Sequence, residues 1–566
     1  MGNTNIDEET AGQSGVTVAV AEGAGDANPK KSLSYRFWIA FWAIAFTNLA
    51  AAYDSTTLAV ALPAISMDLG GSSIEAFWTG TSYLLATTIL MLIWVTLSDA
   101  FGRRLIITIA LLIFAVGAVV CAIAHNWTQM LTGRTVQGIG GGGIIAMTTV
   151  IITDMVPLRE RPKLFACISA VWAVGSTTGP IIGGILAQRG AWQWIFWLNL
   201  PIVAISMAGI VPFLRLSSRS RTLSERLALF DFPGSALMIA SLTSFLIPVT
   251  WGGVQYPWDS WHTLVPLTLG AVGLGVFGTY EFLARSWTGK RVVFIPPTVF
   301  RNRSVGILYA GSVFHGLVLY SLVYYLPEYF QSVKSYTPLI SGVLGLPQTA
   351  TIVPCSVIVG VAVGKTGKYR WAIWAGWTLT CLGLGILILL GIQTAVIQWV
   401  FLAAVSGFGI GLLFPSVPLA IQASVPQEDV AMAATLVQFF RFLGQTLGVA
   451  MGGAIVDNQL RRNLVKAGLP EQPASLLKLI RILKELQPDT TLAIALKGAM
   501  SKSFRTIWVV MCIFSAANLL LSLFVVEYSL NQEHRTEQRF IHEEGEHVDS
   551  NKDSGAASSS PVPSSQ

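Results

Sequence analysis

Ionisable side chains are rare inside the long apolar runs of this 566-residue chain, and the few found there are the first candidates for chemistry. A charged group near the centre of a membrane-length helix costs about 2.5 to 3.5 kcal/mol on insertion scales, so one kept there is a functional hypothesis by default. Asp54 shares a helical face with Thr47, Ala50, Ala51, Thr57 and Ala61, while Phe46 and Leu49 fall on the other side. A carboxylate on such a small, polar stripe can gain and lose a proton; the plainer alternative is an aspartate bonded to nearby backbone. Arg134 stands in a second run, followed on its face by Gln137, Gly138, Gly141 and Thr148 and overlapping the four glycines Gly140–Gly143. Arginine keeps its proton. Its part would be to tune a nearby carboxylate or to tie helices together. A third run places Gln438, Arg441, Gly444, Gln445, Gly448 and Gly452 on one face, a pattern that reads as packing plus hydrogen bonding.

Other chemistry is not supported. The five cysteines (Cys121, Cys167, Cys355, Cys381, Cys512) all lie in apolar stretches at spacings that match no metal site, so neither a disulfide framework nor a metal is expected. Three of the six histidines sit in an acidic C-terminal tail that reads as solvated. No Ser/His/Asp constellation and no Gly-Lys-Ser/Thr phosphate loop is present, so an enzyme, a cofactor and ATP as energy source are all unexpected.

Only 12% of the residues are charged, against roughly 25% in a soluble domain, and 53% are hydrophobic. With a mean hydropathy of +0.61 the chain reads as a membrane protein. The net charge of +6 does not suggest nucleic acid, because the positives fall between apolar runs rather than on one face. Residues 1–33 lack the charged start and short apolar core of a cleaved signal peptide, so the first helix is expected to act as its own insertion signal.

The elements that must hold these residues are helices of about 20 residues, set by a hydrocarbon core about 30 Å thick. About fourteen are expected, near 37–60, 77–98, 105–125, 127–152, 164–187, 194–214, 232–254, 262–283, 305–328, 341–363, 371–391, 397–420, 432–456 and 504–526. One set of alternate connectors carries about 17 Lys and Arg, and the opposite short loops carry about two, Arg189 and Lys334. The positive set marks the cytoplasmic side, which puts both termini there. The connector 457–502 is basic yet lies outside in this scheme. Long loops cross largely regardless of charge, and its stretch Ala474–Leu486, amphipathic through Leu476, Leu477, Ile480, Leu483 and Lys484, is expected on the membrane surface.

Several local motifs resemble those of the major facilitator superfamily, in particular its fourteen-helix drug:proton antiporter branch as found in fungi. Tyr53-Asp54-Ser55-Thr56-Thr57 through Pro63 resembles the first-helix motif, and Leu131 to Gly143 resembles the fourth-helix motif with its proton-linked arginine. Leu97-Ser98-Asp99-Ala100-Phe101-Gly102-Arg103-Arg104 resembles the cytoplasmic gating loop, but with Val95 where Gly is usual and Ala100 where Arg is usual. Gly175 through Gly184, including Gly179, Pro180 and Gly183, resembles the fifth-helix signature of antiporters. Further matches run from Trp192 to Pro201, from Tyr324 to Gln331 and from Asp429 to Gly448.

The resemblance implies an all-α polytopic fold of two six-helix halves, 37–214 and 305–526 (outer loop 457–503), around a linker 215–304 with two extra helices. Tails 1–36 and 527–566 are expected to be disordered and cytoplasmic, and twelve spans is the alternative count. It implies proton-coupled efflux of small amphipathic or hydrophobic compounds such as drugs, toxins or secondary metabolites. Asp54 and Arg134 would couple protons, Gly175, Gly179, Pro180, Gly183 and Gly184 would form a moving seam, and Asp99, Gly102 and Arg103 a cytoplasmic gate. Tyr83, Gln137, Trp172, Gln438, Phe439 and Arg441 are candidate cavity residues, since aromatic and amide groups suit amphipathic ligands. The partners are then a small molecule, protons and lipid, with no nucleic acid; a monomer in the plasma membrane is expected, a vacuolar membrane being the alternative. Uptake or vacuolar loading of a siderophore or basic amino acid, and a non-transporting receptor, are the rival functions.

Overall fold

The computed structural model describes residues 34–530 apart from 71–72, 157–159, 217–221, 223, 226, 228–229, 288–294, 469–478, 481, 484–485 and 487–489. The tails expected over 1–36 and 527–566 lie outside the described residues except for 34–36 and 527–530. In a bilayer every backbone N–H and C=O must bond within the chain, and helices achieve this. Among the described residues the helices are α1 (Tyr35–Asp68), α2 (Ser73–Phe101), α3 (Arg103–Ala122), α4 (Trp127–Met155), α5 (Arg161–Gln188), α6 (Trp194–Trp197), α7 (Asn199–Phe213), α8 (Phe232–Trp251) and α9 (Trp261–Trp287). They continue with α10 (Arg303–Ser332), α11 (Pro338–Leu344), α12 (Leu346–Thr366), α13 (Arg370–Leu387), α14 (Val396–Ala423), α15 (Val430–Lys466) and α16 (Thr491–Ser522).

Twelve segments are long and apolar enough to cross a membrane by length and composition, with α6–α7 and α11–α12 each forming one. Two more, α1 with 34 residues and α13 with 18, bring the count to fourteen. Polar side chains dilute α1, which buries Thr47, Asn48, Asp54, Ser55, Thr56 and Thr57. The fold is therefore that of an integral, multi-pass helical membrane protein.

Packing arranges the spans in layers. In the first group α3 and α2 lie against α4, and α5 and α7 against α1; in the second, α10 packs on α15, α14 on α12 and α13, and α16 on α13 and α15. The groups meet where α5 touches α11 and α12 and where α2 and α4 touch α15. The inserted pair stands aside: α9 packs on α8, and α8 reaches α2 and α15. Of the most apolar stretch of α4, 83% is buried, against 17% for α9, so α4 is central and α9 faces lipid. The glycine run makes this possible. A methyl group at Gly143 would fall 2.5 Å from Ala110 of α3, and one at Gly142 2.6 Å from the Thr87 carbonyl of α2.

The C-terminal end of the described residues lies beside two of the positive connectors. Beyond α16, Val526 donates its N–H to Ser304 Oγ (3.0 Å) and Tyr528 to Tyr369 Oη (2.7 Å), which ties the C-terminal end to two connectors of the basic face. On the opposite face α15 runs to Lys466 and α16 begins at Thr491, so the connector expected over 457–502 is partly helix. Leu476, Leu477 and Lys484 lie outside the described residues, while Leu479, Ile480 and Leu483 are buried in the protein core. These three apolar side chains of the stretch expected on the membrane surface are thus covered by protein.

Candidate functional site

Asp54 and Arg134 meet in the middle of the first group. Both are fully buried, and Arg134 Nη1 donates to Asp54 Oδ2 at 2.6 Å. The other carboxylate oxygen accepts from Gln137 Nε2 at 2.9 Å and from Asn199 Nδ2 at 3.3 Å. Arg134 Nη1 also donates to Gln137 Oε1 (2.7 Å), and its Nε donates to the Thr79 carbonyl (3.1 Å). The guanidinium lies 4.4 Å from the ring centre of Tyr83. Removing one partner from such a buried pair strands the other charge, at a cost of about 3 to 5 kcal/mol. Three helices, α1, α4 and α7, are therefore joined at one carboxylate, and Arg134 ties α2 to them through the Thr79 carbonyl.

A cleft lies between the two groups, toward the basic face. It spans about 790 Å³ including its open mouth, and its walls are the basic-side ends of α4, α5, α14 and α15 with Asn48 of α1. A deeper cavity of about 460 Å³ continues between α1, α5, α10 and α12. Ser169, Trp172 and Phe414 line both, so the two form one path. Thr56, two residues from Asp54, lines the deeper part with Tyr320.

Of the residues expected in the cavity, Trp172, Gln438 and Arg441 line it. Tyr83 of α2 and Gln137 of α4 instead surround the Asp54–Arg134 pair, because the two helices turn these faces toward each other and toward α1. Phe439 is buried against Phe440, with ring centres 5.3 Å apart, and is not among the lining residues. The face of α15 divides by residue size: Gly444, Gly448 and Gly452 admit α10, whereas Gln438, Arg441 and Gln445 point between the groups.

The glycines of α5 also serve two neighbours. Methyl groups at Gly175 and Gly183 would fall 2.8 Å from Ala52 Cβ and 2.5 Å from the Thr57 carbonyl, and Gly179 abuts Thr56, so these three seat α5 on α1. Gly184 faces the other group, where a methyl would lie 2.7 Å from Leu339 Cα, and a methyl at Gly342 would lie 2.5 Å from the Pro180 carbonyl. The seam between groups at this level thus involves Pro180 and Gly184 alone of the five motif residues. It closes the side opposite the cleft.

A family model described as Major Facilitator Superfamily matches residues 44–449. The chain belongs to this superfamily. MFS transporter L2 of Phoma sp. is 42% identical over 528 residues, which cover 92% of this chain and 87% of that protein. Efflux pump FUS6 of Gibberella moniliformis is 36% identical over 523 residues, covering 91% of this chain and 92% of that one. A solved bacterial homolog of the human lysosomal transporter Spinster, inward-facing and unoccupied, aligns with a TM-score of 0.56 over 87% of this chain and 98% of its own, at 18% identity, a likeness of fold.

In this facilitator the residues that join α2 to α3 form a network within the first group. Gly102 adopts φ +96°, a conformation open to glycine, and turns the chain from α2 into α3. Arg103 Nη1 meets Asp99 at 2.5 Å, and its Nε meets Asp154 Oδ2 of α4 at 3.1 Å. Asp154 thus supplies a partner in a loop motif that lacks its usual arginine at Ala100. On the basic face a bond that crosses between groups belongs to Arg161, whose Nη1 donates to Gln422 Oε1 of α14 at 2.9 Å while its Nη2 and Nε hold the Thr153 and Val156 carbonyls. Asp154, Arg161, Asn199 and Gln422 escaped sequence reasoning. Arg161 counted only as a loop positive, and Asn199 only as part of a motif; a polar residue closing an apolar run, as Asp154 does, was the available signal.

Proposed function

We propose that this protein exports small amphipathic or hydrophobic compounds by alternating access, driven by protons moving inward, and that it does so at the plasma membrane. The observation that carries this reading is the isolated Asp54–Arg134 ion pair, buried two residues from the cavity wall at Thr56. The name of the relative FUS6, an efflux pump, supports the direction.

The geometry suggests how the steps connect. A proton taken by the Asp54 carboxylate neutralises it and removes the ionic part of its bond to Arg134, which keeps Gln137 and the Thr79 carbonyl as partners. The hold between α1 and α4 weakens. Because Gly179 and Gly183 seat α5 on α1 at Thr56 and Thr57, a shift of α1 carries α5 with it, and Pro180 and Gly184 then move against α11. On the basic face the Arg161–Gln422 bond would form and break as the cleft closes and opens. Release of the proton to the cytoplasm restores the pair.

The test is accumulation of a fluorescent amphipathic dye in cells lacking the protein, carrying it, or carrying Asp54→Asn. Lower accumulation with the protein, abolished by collapse of the proton gradient and by Asp54→Asn, is the expected result. Efflux that is indifferent to the gradient removes proton coupling; normal efflux by the variant removes Asp54.

A further inference from the structure

Arg441 differs from every other buried cation in the cavity region. Its residue is 4% exposed, it lines the cleft, and its Nη1 donates to Gln438 Oε1 at 3.2 Å. Its Nε and Nη2 have no hydrogen-bond partner. Those two nitrogens form one edge of the guanidinium, the side-on fork whose parallel N–H bonds match the two oxygens of a carboxylate. The flat face of the group is fixed by Phe414, 4.6 Å from the ring centre, so the fork is held in one orientation.

Among the described residues no acidic side chain lines either the cleft or the deeper cavity, and Arg441, in the cleft, is the one formal charge of the two linings taken together. His315, which packs on the same Phe414 ring at 4.8 Å, brings no negative charge. Gln422 Nε2, also on the cleft wall, is a further buried donor without a partner. Around these donors the walls are apolar and aromatic, with Phe165, Trp172 and Phe414. A buried charge without a counter-charge is costly, and a ligand that supplies one recovers that cost on binding.

We infer that Arg441 is the anion-binding residue of the cavity and that the transported compound is an amphipathic organic acid, its carboxylate on the Arg441 fork and its apolar body against the aromatic wall. This deepens the export reading and rests on it only for the direction of movement. Cationic amphiphiles are then poor ligands, since they meet a fixed positive charge and no carboxylate. Neutral ones lose the fork.

The experiment measures equilibrium binding to the full chain in nanodiscs, by dansyl fluorescence, for three probes of one body: dansyl-phenylalanine, its methyl ester and, as the amine, its 2-aminoethyl amide. The expected order is acid, then ester, then amine, with about a tenfold preference for acid over ester from a charge-assisted bidentate pair. In Arg441→Gln the acid falls to within about twofold of the ester and the amine gains, whereas Arg441→Lys, a point charge without the fork, keeps part of the preference. Unchanged ester affinity certifies the folded cavity in each variant. Equal binding of acid and ester by the unmodified protein overturns the inference without any variant, as does an acid preference that survives Arg441→Gln. Binding needs no gradient, so failure of transport with this order intact would count against export and leave the anion site standing.

Discussion

Two buried arginines occupy the two halves of this protein, and their surroundings are opposites. Arg134 spends its donors on Asp54, Gln137 and a backbone carbonyl within one helix group. Arg441 faces the space between the groups with one edge unbonded. The same side chain is a structural tie where its charge is matched inside the protein and a recognition element where it is not. Burial alone therefore does not assign a role; the identity of the partner does.

The largest expected effect tests the matched side. Arg134→Met leaves Asp54 buried beside no cation and should cost about 3 to 5 kcal/mol, read as a lower melting temperature in detergent. Arg441→Met should leave melting unchanged or raise it, because an unmatched buried charge is replaced by an apolar group of similar length. Equal losses in the two variants would erase the contrast.

A double-mutant cycle sharpens it further. Asp54→Asn combined with Arg134→Gln should show a coupling near about 3 kcal/mol, the upper end for side chains in contact, whereas Gln438→Ala with Arg441→Gln should couple by about 0.5 kcal/mol. The smallest effects concern the periphery of each site. Asn199→Ala removes a 3.3 Å bond to the carboxylate and should cost about 1 kcal/mol, and Gln445→Ala, whose Oε1 is unpartnered, should stay within about 0.5 kcal/mol by the same melting assay.

Much of the fold is legible in the sequence for a simple reason. The bilayer imposes one length and one polarity on every span, and the positive connectors mark sides, so helices such as α3 and α7 need no knowledge of their neighbours. Boundaries drift where that constraint ends: α15 continues to Lys466 and α16 starts at Thr491, outside the hydrocarbon limits that suggested 432–456 and 504–526. The candidate site is legible in its residues and less so in its grouping. Asp54 and Arg134 stand out as charges in apolar runs, but helical spacing cannot say that Tyr83 and Gln137 turn toward them and away from the cavity. Nor can it separate Gly179 and Gly183, which seat α5 on α1, from Gly184, which meets α11.

The class of the molecule, its spans and the short set of charges that lipid would reject are legible in the sequence, because each follows from local polarity and length. Tertiary structure alone decided which of those charges are matched. Asp54 and Arg134 are 80 residues apart in the chain, and a contact over that separation exists only once α1 and α4 have packed together. Arg441 meets no carboxylate for the same reason: pairing depends on which helix faces meet, and hydropathy carries no record of that.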